Sequence, residues 1–203
     1  MTSVEVFADV WCPFTHVGLR RFVARRDELG ADVRLLVRAW PLELINGKPF
    51  DPVFIAEEVD DLRAQVAPDL FSGFDPGHFP TTTLPALRLA AAANQRSPQA
   101  GEQVALDLRD RVFERGQDIS ADDVLDEVAA VHGLRRDDPA TLDAVQRDWD
   151  DGRARGVIGS PHFFTPAGGF FCPALDVSRV EGLLRITPDR AGFEQFLDSC
   201  FGA

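Results

Sequence analysis

The chain is poor in sulfur and in positive charge. Its three cysteines, Cys12, Cys172 and Cys200, stand at wide and irregular intervals along 203 residues. An odd number at such spacing argues against a framework of paired disulfides and suits a reducing compartment. Lys and Arg number 21 against 33 Asp and Glu, for a formal charge of −12, and no basic run is long enough to neutralise a row of phosphates. Nucleic acid and anionic membrane surfaces are therefore poor partners. No apolar segment is long enough to span a bilayer. The first apolar run carries Glu5 and Asp9 and has no basic stretch ahead of it, unlike a secretory leader. The expected location is the cytoplasm. His78 and His162 have no ligand spacing to any cysteine, so no metal site is expected.

What remains is 45% hydrophobic and 27% charged, enough to bury a sizeable core in one domain or in one domain with an insertion. Residues 4–10 are β-branched and aromatic and read as a strand. Residues 15–29 place Val17, Phe22, Val23 and Leu29 on one side and Arg20, Arg21, Arg25 and Arg26 on the other, a helix with a solvated basic face that Gly30 stops. Residues 33–40, bounded by Pro41, form a second strand, and strand-helix-strand implies a parallel pair with a crossover. From residue 54 to 155 the pattern is helical only: Ile55, Val59, Leu62 and Val66 make one stripe, and a Pro-led helix covers 85–94. Ser97-Pro98 and Ser120 begin two more, and Asp138-Pro139 begins a fifth that carries Leu142, Val145 and Trp149. After Gly156, Phe163-Phe164-Thr165 and Phe170-Phe171 around the turn at 166–169 suggest a hairpin, and two closing helices are expected, the last from Thr187-Pro188.

The expected fold is α/β, a thioredoxin-like sheet layer (residues 1–53 and 156–203) interrupted by an all-helical insertion (54–155). Chemistry concentrates where the first strand runs into Trp11-Cys12-Pro13-Phe14-Thr15. A cysteine at a helix N-terminus meets unpaired N–H groups and the positive end of the macrodipole, which favour thiolate over thiol. The Cys12 pKa is accordingly expected to fall from about 8.5 toward about 3.5–7.5, helped by a hydrogen bond from the Thr15 hydroxyl. Thr15 stands where a two-cysteine redox motif has its second sulfur. No disulfide across that turn can form.

The stretch Trp11-Cys12-Pro13-Phe14-Thr15-His16-Val17-Gly18 resembles the Cys-Pro-Trp-Cys-Tyr-Ile-Gly type motif of DsbA-like and FrnE-like thiol-disulfide oxidoreductases. It is also similar to the Ser-Pro-Tyr-Ser-Trp-Leu-Gly type motif of kappa-class glutathione transferases and 2-hydroxychromene-2-carboxylate isomerases. Trp40-Pro41-Leu42-Glu43-Leu44, Thr82-Thr83-Leu84-Pro85 and the segment 156–163 resemble the same superfamily. The resemblance implies a DsbA-like fold and roles position by position. Cys12 matches the attacking cysteine or the thiol-activating serine, and Thr15 the resolving cysteine or second serine. Ser160-Pro161 match the dipeptide whose backbone pairs with a bound peptide or thiol. An X-Pro bond is cis in only about 5–6% of cases, so a cis Ser160-Pro161 peptide is an expectation from topology.

The remaining candidates for substrate or thiol binding are Trp11, Pro13, Phe14, His16 and Cys172, which the resemblance sets near the thiol. His16 is as well explained by packing, and Cys172 has a role as resolving partner if it lies close enough to Cys12. Cys200 shares a helical face with Phe193, Phe196 and Leu197 and reads as core, and His132 as a helix C-terminal dipole partner. The loop 70–80 with Phe71, Phe74 and Phe79 is either a pocket wall or core filling. Three functions stay open: single-cysteine thiol-disulfide exchange, a thiol-cofactor-dependent isomerase or transferase on an aromatic small molecule, and a non-catalytic peptide or ligand binding module. The implied co-substrate is a low-molecular-weight, glutathione-like thiol with no tightly bound cofactor. The implied partner is a disulfide- or thiol-containing small molecule or peptide, and homodimers occur among similar proteins.

Overall fold

In the computed structural model, which describes residues 2–136, 143–181 and 183–201, β1 (Thr2–Ala8) leads through a short turn into α1 (Pro13–Leu29) and then β2 (Val33–Ala39). Pro13 suits the first helical position, where its missing N–H is no loss, and Gly30 closes the helix with φ 59°, a conformation that glycine adopts without penalty. β1 and β2 pair in parallel from Thr2↔Val33 to Ala8↔Ala39. The helices α2 (Leu42–Asn46), α3 (Pro52–Gln65), α4 (Leu84–Arg96), α5 (Pro98–Phe113), α6 (Asp122–Val131) and α7 (Ala144–Ala154) follow before the chain returns to strand. There β3 (His162–Thr165) and β4 (Gly168–Phe171) form a hairpin, and β3 lies antiparallel against β1, so the sheet runs β2-β1-β3-β4.

The chain departs from expectation after β4. In place of two helices it forms a second hairpin, β5 (Leu175–Val180) with β6 (Leu183–Pro188), and a single closing helix, α8 (Arg190–Phe201). The reason is a period of two: Leu184 and Ile186 are buried while Leu183 and Arg185 between and beside them are exposed, which a strand satisfies and a helix does not. The side chain of Gln65 at the end of α3 then fastens the hairpin, accepting from the Ile186 N–H at 2.9 Å and donating to the Leu184 carbonyl at 3.3 Å. The start expected at Asp138-Pro139, with Leu142, lies outside the described residues; α7 begins at Ala144 and carries Val145 and Trp149.

One apolar cluster holds Val4, Val6, Leu35, Val37, Phe22, Phe163, Phe196 and Cys200 between the sheet, α1 and α8. A larger one joins Val10, Trp11 and Ala39 to Ile55, Val59, Leu62, Phe71, Leu108 and Phe113 of the helical segment. Each Val, Leu, Ile or Phe among them contributes about 1.5–3 kcal/mol on full burial. Phe71 and Phe79 are core residues here. Among the arginines expected on a solvated face of α1, Arg20, Arg21 and Arg26 reach Asp110, Asp69 and Glu102. Among the described residues, no helix is long and apolar enough to cross a membrane.

Candidate functional site

Because β1 pairs with β3 through Phe7↔His162, the turn after β1 meets the turn before β3. Cys12 caps α1 without a side-chain hydrogen bond to the helix. Its thiol instead donates to the main-chain carbonyl of Ser160 at 3.0 Å. The Ser160 hydroxyl accepts from the Asp9 N–H at 2.9 Å and shares a hydrogen bond with the Thr15 hydroxyl at 2.7 Å. The Ser160-Pro161 peptide is cis. Residues some 150 positions apart thus form one buried cluster: Thr15 is 0% exposed, Cys12 4% and Ser160 8%.

The electrostatics reverse the sequence expectation for Cys12. Burial pushes its pKa up to about 11, and the nearby negative charge of Glu58 adds to the rise, while Thr15 favours the thiolate without offsetting the loss of solvent. A helix terminus contributes about 0.3–1 kcal/mol, whereas full burial moves a pKa by as much as about 3–5. The bond to the Ser160 carbonyl acts in the same sense, since only the protonated sulfur can make it. Cys12 rests as a thiol. The Thr15 hydroxyl, expected on the sulfur, is shared: it bonds the Ser160 hydroxyl at 2.7 Å and its hydrogen bond to Cys12 favours the thiolate, though less than burial opposes it.

The other sequence candidates divide. Pro13 opens α1 beside the thiol, and Phe14 packs half-buried against the helical core. Trp11 is fully buried, its ring near Phe50 and Phe79. His16 is not brought to the sulfur by any hydrogen bond: Nε2 meets Glu114 Oε1 at 2.8 Å, and the ring packs 5.3 Å from Phe71 and 5.0 Å from Phe113, centre to centre. Burial lowers its pKa. Glu114 also accepts from the N–H groups of Phe71 and Ser72. Although burial acts the other way, these bonds hold its carboxyl down at about 2. Cys172 follows β4 with its N–H donating to the Pro161 carbonyl at 3.0 Å. All three cysteines are free thiols.

Sequence reading missed a buried charged pair behind the thiol. Asp9 is wholly buried, its carboxylate accepting from the Leu42 and Trp11 N–H groups. Burial raises its pKa to about 6, with Arg109 opposing the shift by its charge. Arg109, 1% exposed, donates to the carbonyls of Asp9 at 3.1 Å and Ala105 at 2.7 Å. An acidic residue between Ala8 and Val10 in a buried run was the available signal. Glu58 on α3 was missed as well; burial lifts it to about 7. Among the described residues no group of three or more His, Cys, Asp or Glu is placed to hold a metal ion.

Solved structures share this architecture. A probable DsbA oxidoreductase from Streptomyces coelicolor is 20% identical and superposes with a TM-score of 0.65, covering 100% of this chain and 91% of its own. A 2-hydroxychromene-2-carboxylate isomerase is 14% identical with a TM-score of 0.62, covering 83% and 88%. The cytosolic disulfide reductase DsbM from Pseudomonas aeruginosa with GSH is 14% identical with a TM-score of 0.58, covering 97% of each chain. At these identities the likeness concerns the fold. The sequence matches none of the curated proteins. The model of the DSBA-like thioredoxin domain matches residues 3–185, and the chain belongs to that family.

Proposed function

We propose that this protein carries out thiol-disulfide exchange through Cys12, with a low-molecular-weight thiol of the glutathione type as co-substrate, in a reducing compartment such as the cytoplasm. The reading is carried by the Cys12 sulfur lying 3.0 Å from the Ser160 carbonyl, beside the main-chain edge where the family binds a thiol or an extended peptide. In the reaction the Cys12 sulfur attacks one sulfur of a disulfide RS–SR. A Cys12–SR bond forms, the RS–SR bond breaks, and the departing RS⁻ takes up the proton that Cys12 gives up. The Thr15 hydroxyl stays bonded to that of Ser160, which also accepts from the Asp9 N–H, holding the turn in shape while the sulfur reacts. Trp11, Pro13 and Phe14 shape the turn that presents the sulfur. The DsbM disulfide reductase is known in a structure with GSH, which agrees with a small thiol partner. We assign residues 1–53 and 156–203 to the thioredoxin-like unit and 54–155 to its helical insertion.

One observation favours a second reading. A Cys12 that rests protonated is a hydrogen-bond donor, as a serine hydroxyl would be, and would polarise the sulfur of a bound thiol cofactor in an isomerase or transferase. The deciding experiment is intact-mass spectrometry after incubation with oxidised glutathione, together with turnover of a disulfide substrate by wild type and Cys12→Ser. A glutathione adduct or an internal disulfide involving Cys12 in wild type, and loss of turnover in Cys12→Ser, support exchange. An unmodified wild-type protein, or turnover that survives Cys12→Ser, overturns it.

A further inference from the structure

We propose that Cys172 is the second sulfur of this site, displacing the thiol from a mixed disulfide on Cys12 and closing a Cys12–Cys172 bond across the Ser160-Pro161 bend. The proposal rests on the reading of Cys12 as the exchanging sulfur. Thr15 provides a hydroxyl that cannot resolve a mixed disulfide, so resolution falls either to the low-molecular-weight thiol or to a cysteine elsewhere in the fold.

The β3–β4 ladder supplies one. His162 pairs with Phe171, so the next step of the register sets Cys172 opposite Pro161, and the Cys172 N–H indeed donates to the Pro161 carbonyl at 3.0 Å. Paired residues in an antiparallel ladder have Cα atoms about 4.5–5.5 Å apart. The Cys12 thiol is bonded to the carbonyl of Ser160, the residue joined to Pro161. The two cysteines therefore flank one dipeptide, each bonded to a different carbonyl of it. The side chain of Cys172 packs half-buried against the cluster that contains Val10 and Trp11, the residues leading into Cys12. The charge of Cys12 bears on the ionisation of Cys172. Cys200 sits elsewhere, in the cluster between the sheet and α8.

The backbone supplies an independent observation. Cys172 has φ 45°, in the left-handed region where glycine is the unstrained choice and a side chain is carried at a cost. A cysteine thus stands at a position where the local conformation favours glycine.

The step balances. The Cys172 sulfur attacks the Cys12 sulfur of Cys12–S–S–R; the Cys12–Cys172 bond forms, the bond to R breaks, and the departing RS⁻ takes up the proton that Cys172 gives up. Over both steps one disulfide is reduced to two thiols while the two cysteines are oxidised to one disulfide, and two equivalents of the low-molecular-weight thiol restore them and leave as its disulfide.

The test treats reduced wild type, Cys172→Gly and Cys172→Ser with one equivalent of oxidised glutathione, quenches in acid, and maps the peptides. Cys172→Gly is included because glycine suits the backbone there, which keeps the result readable if the serine variant misfolds. Wild type is expected to lose two hydrogens and to show a peptide pair linked through Cys12 and Cys172, whereas the variants accumulate glutathione on Cys12. Wild type that keeps glutathione on Cys12 with Cys172 free overturns the inference and leaves the exchange reading standing. Links to Cys200 in place of Cys172 overturn the inference too. No modification of Cys12 in any of the proteins overturns the exchange reading and this inference with it.

Discussion

The Cys12 thiol and the main-chain carbonyl of Ser160 are 3.0 Å apart, with the sulfur as donor. Burial raises the Cys12 pKa to about 11, and the contact itself can be made only by the protonated sulfur. A group with that pKa is almost entirely thiol at neutral pH. Alkylation of Cys12 by iodoacetamide is therefore expected to accelerate about tenfold per pH unit between pH 7 and 10. A plateau reached near pH 7 in the measured profile would show a thiolate already present and refute this account of the site.

Alkaline stability should follow the same sulfurs. Burial raises Cys12 to about 11 and Cys172 and Cys200 to about 12, from an ordinary 9.0. Between pH 9 and 10 the unfolded thiols release protons that the folded ones keep, so the native state binds more protons and stability falls as pH rises. Below pH 9 this contribution is fully present. For Cys12 alone the slope approaches about 1.4 kcal/mol per pH unit above pH 9. Urea unfolding at pH 8, 9 and 10 reads it, and a Cys12→Ser variant should show a shallower decline; equal slopes would contradict the assignment.

Arg109, buried like Asp9, donates to the Asp9 main-chain carbonyl at 3.1 Å. Replacing it by Met removes the buried cation and its bonds to the Asp9 and Ala105 carbonyls and leaves the carboxylate with its hydrogen bonds from Leu42 and Trp11 alone, an expected loss of about 1.5–3 kcal/mol at pH 7.5. Asp9 itself has its pKa raised from 3.8 to about 6, so its contribution is most favourable below pH 4 and is lost as pH climbs through 6. At pH 5, with Asp9 largely protonated in the fold, the Arg109→Met loss should be smaller. Equal losses at both pH values would show that the arginine acts through packing alone.

Glu114 fastens the loop after α3 to α1 by accepting from Phe71, Ser72 and His16. Glu114→Ala is expected to cost about 2 kcal/mol and to open the segment around residues 71–72 to limited proteolysis. Because its folded pKa is depressed from 4.5 to about 2, the wild-type advantage over the variant should be complete above pH 4.5 and shrink as pH falls toward 2. A cleavage pattern unchanged from wild type would place the fastening elsewhere.

Much of this was legible in residue order. The apolar run through Val4 and Val6, the two-sided pattern of α1 and the stop at Gly30 place the first three elements. The segment 156–161 placed its counterpart, although only the pairing of Phe7 with His162 makes them neighbours. The second hairpin was missed because Leu183 and Leu184 read equally well as a helix when it is not known that Ile186 and Leu184 turn toward α3. The charge state of Cys12 was missed for a related reason: motif position reveals the helix dipole, whereas desolvation depends on chain contributed from some 150 residues away. Asp9 and Arg109 are a pair only in space.

The assembly of the thiol from both ends of the polypeptide has a consequence during synthesis. Cys12 leaves the ribosome long before Ser160 exists, so the emerging chain carries a solvated cysteine that nothing yet shelters, open to oxidants for as long as elongation continues. The turn before β3, which brings Ser160, completes that shelter. A chain that stops before residue 160 lacks the carbonyl that the Cys12 thiol bonds in the finished fold.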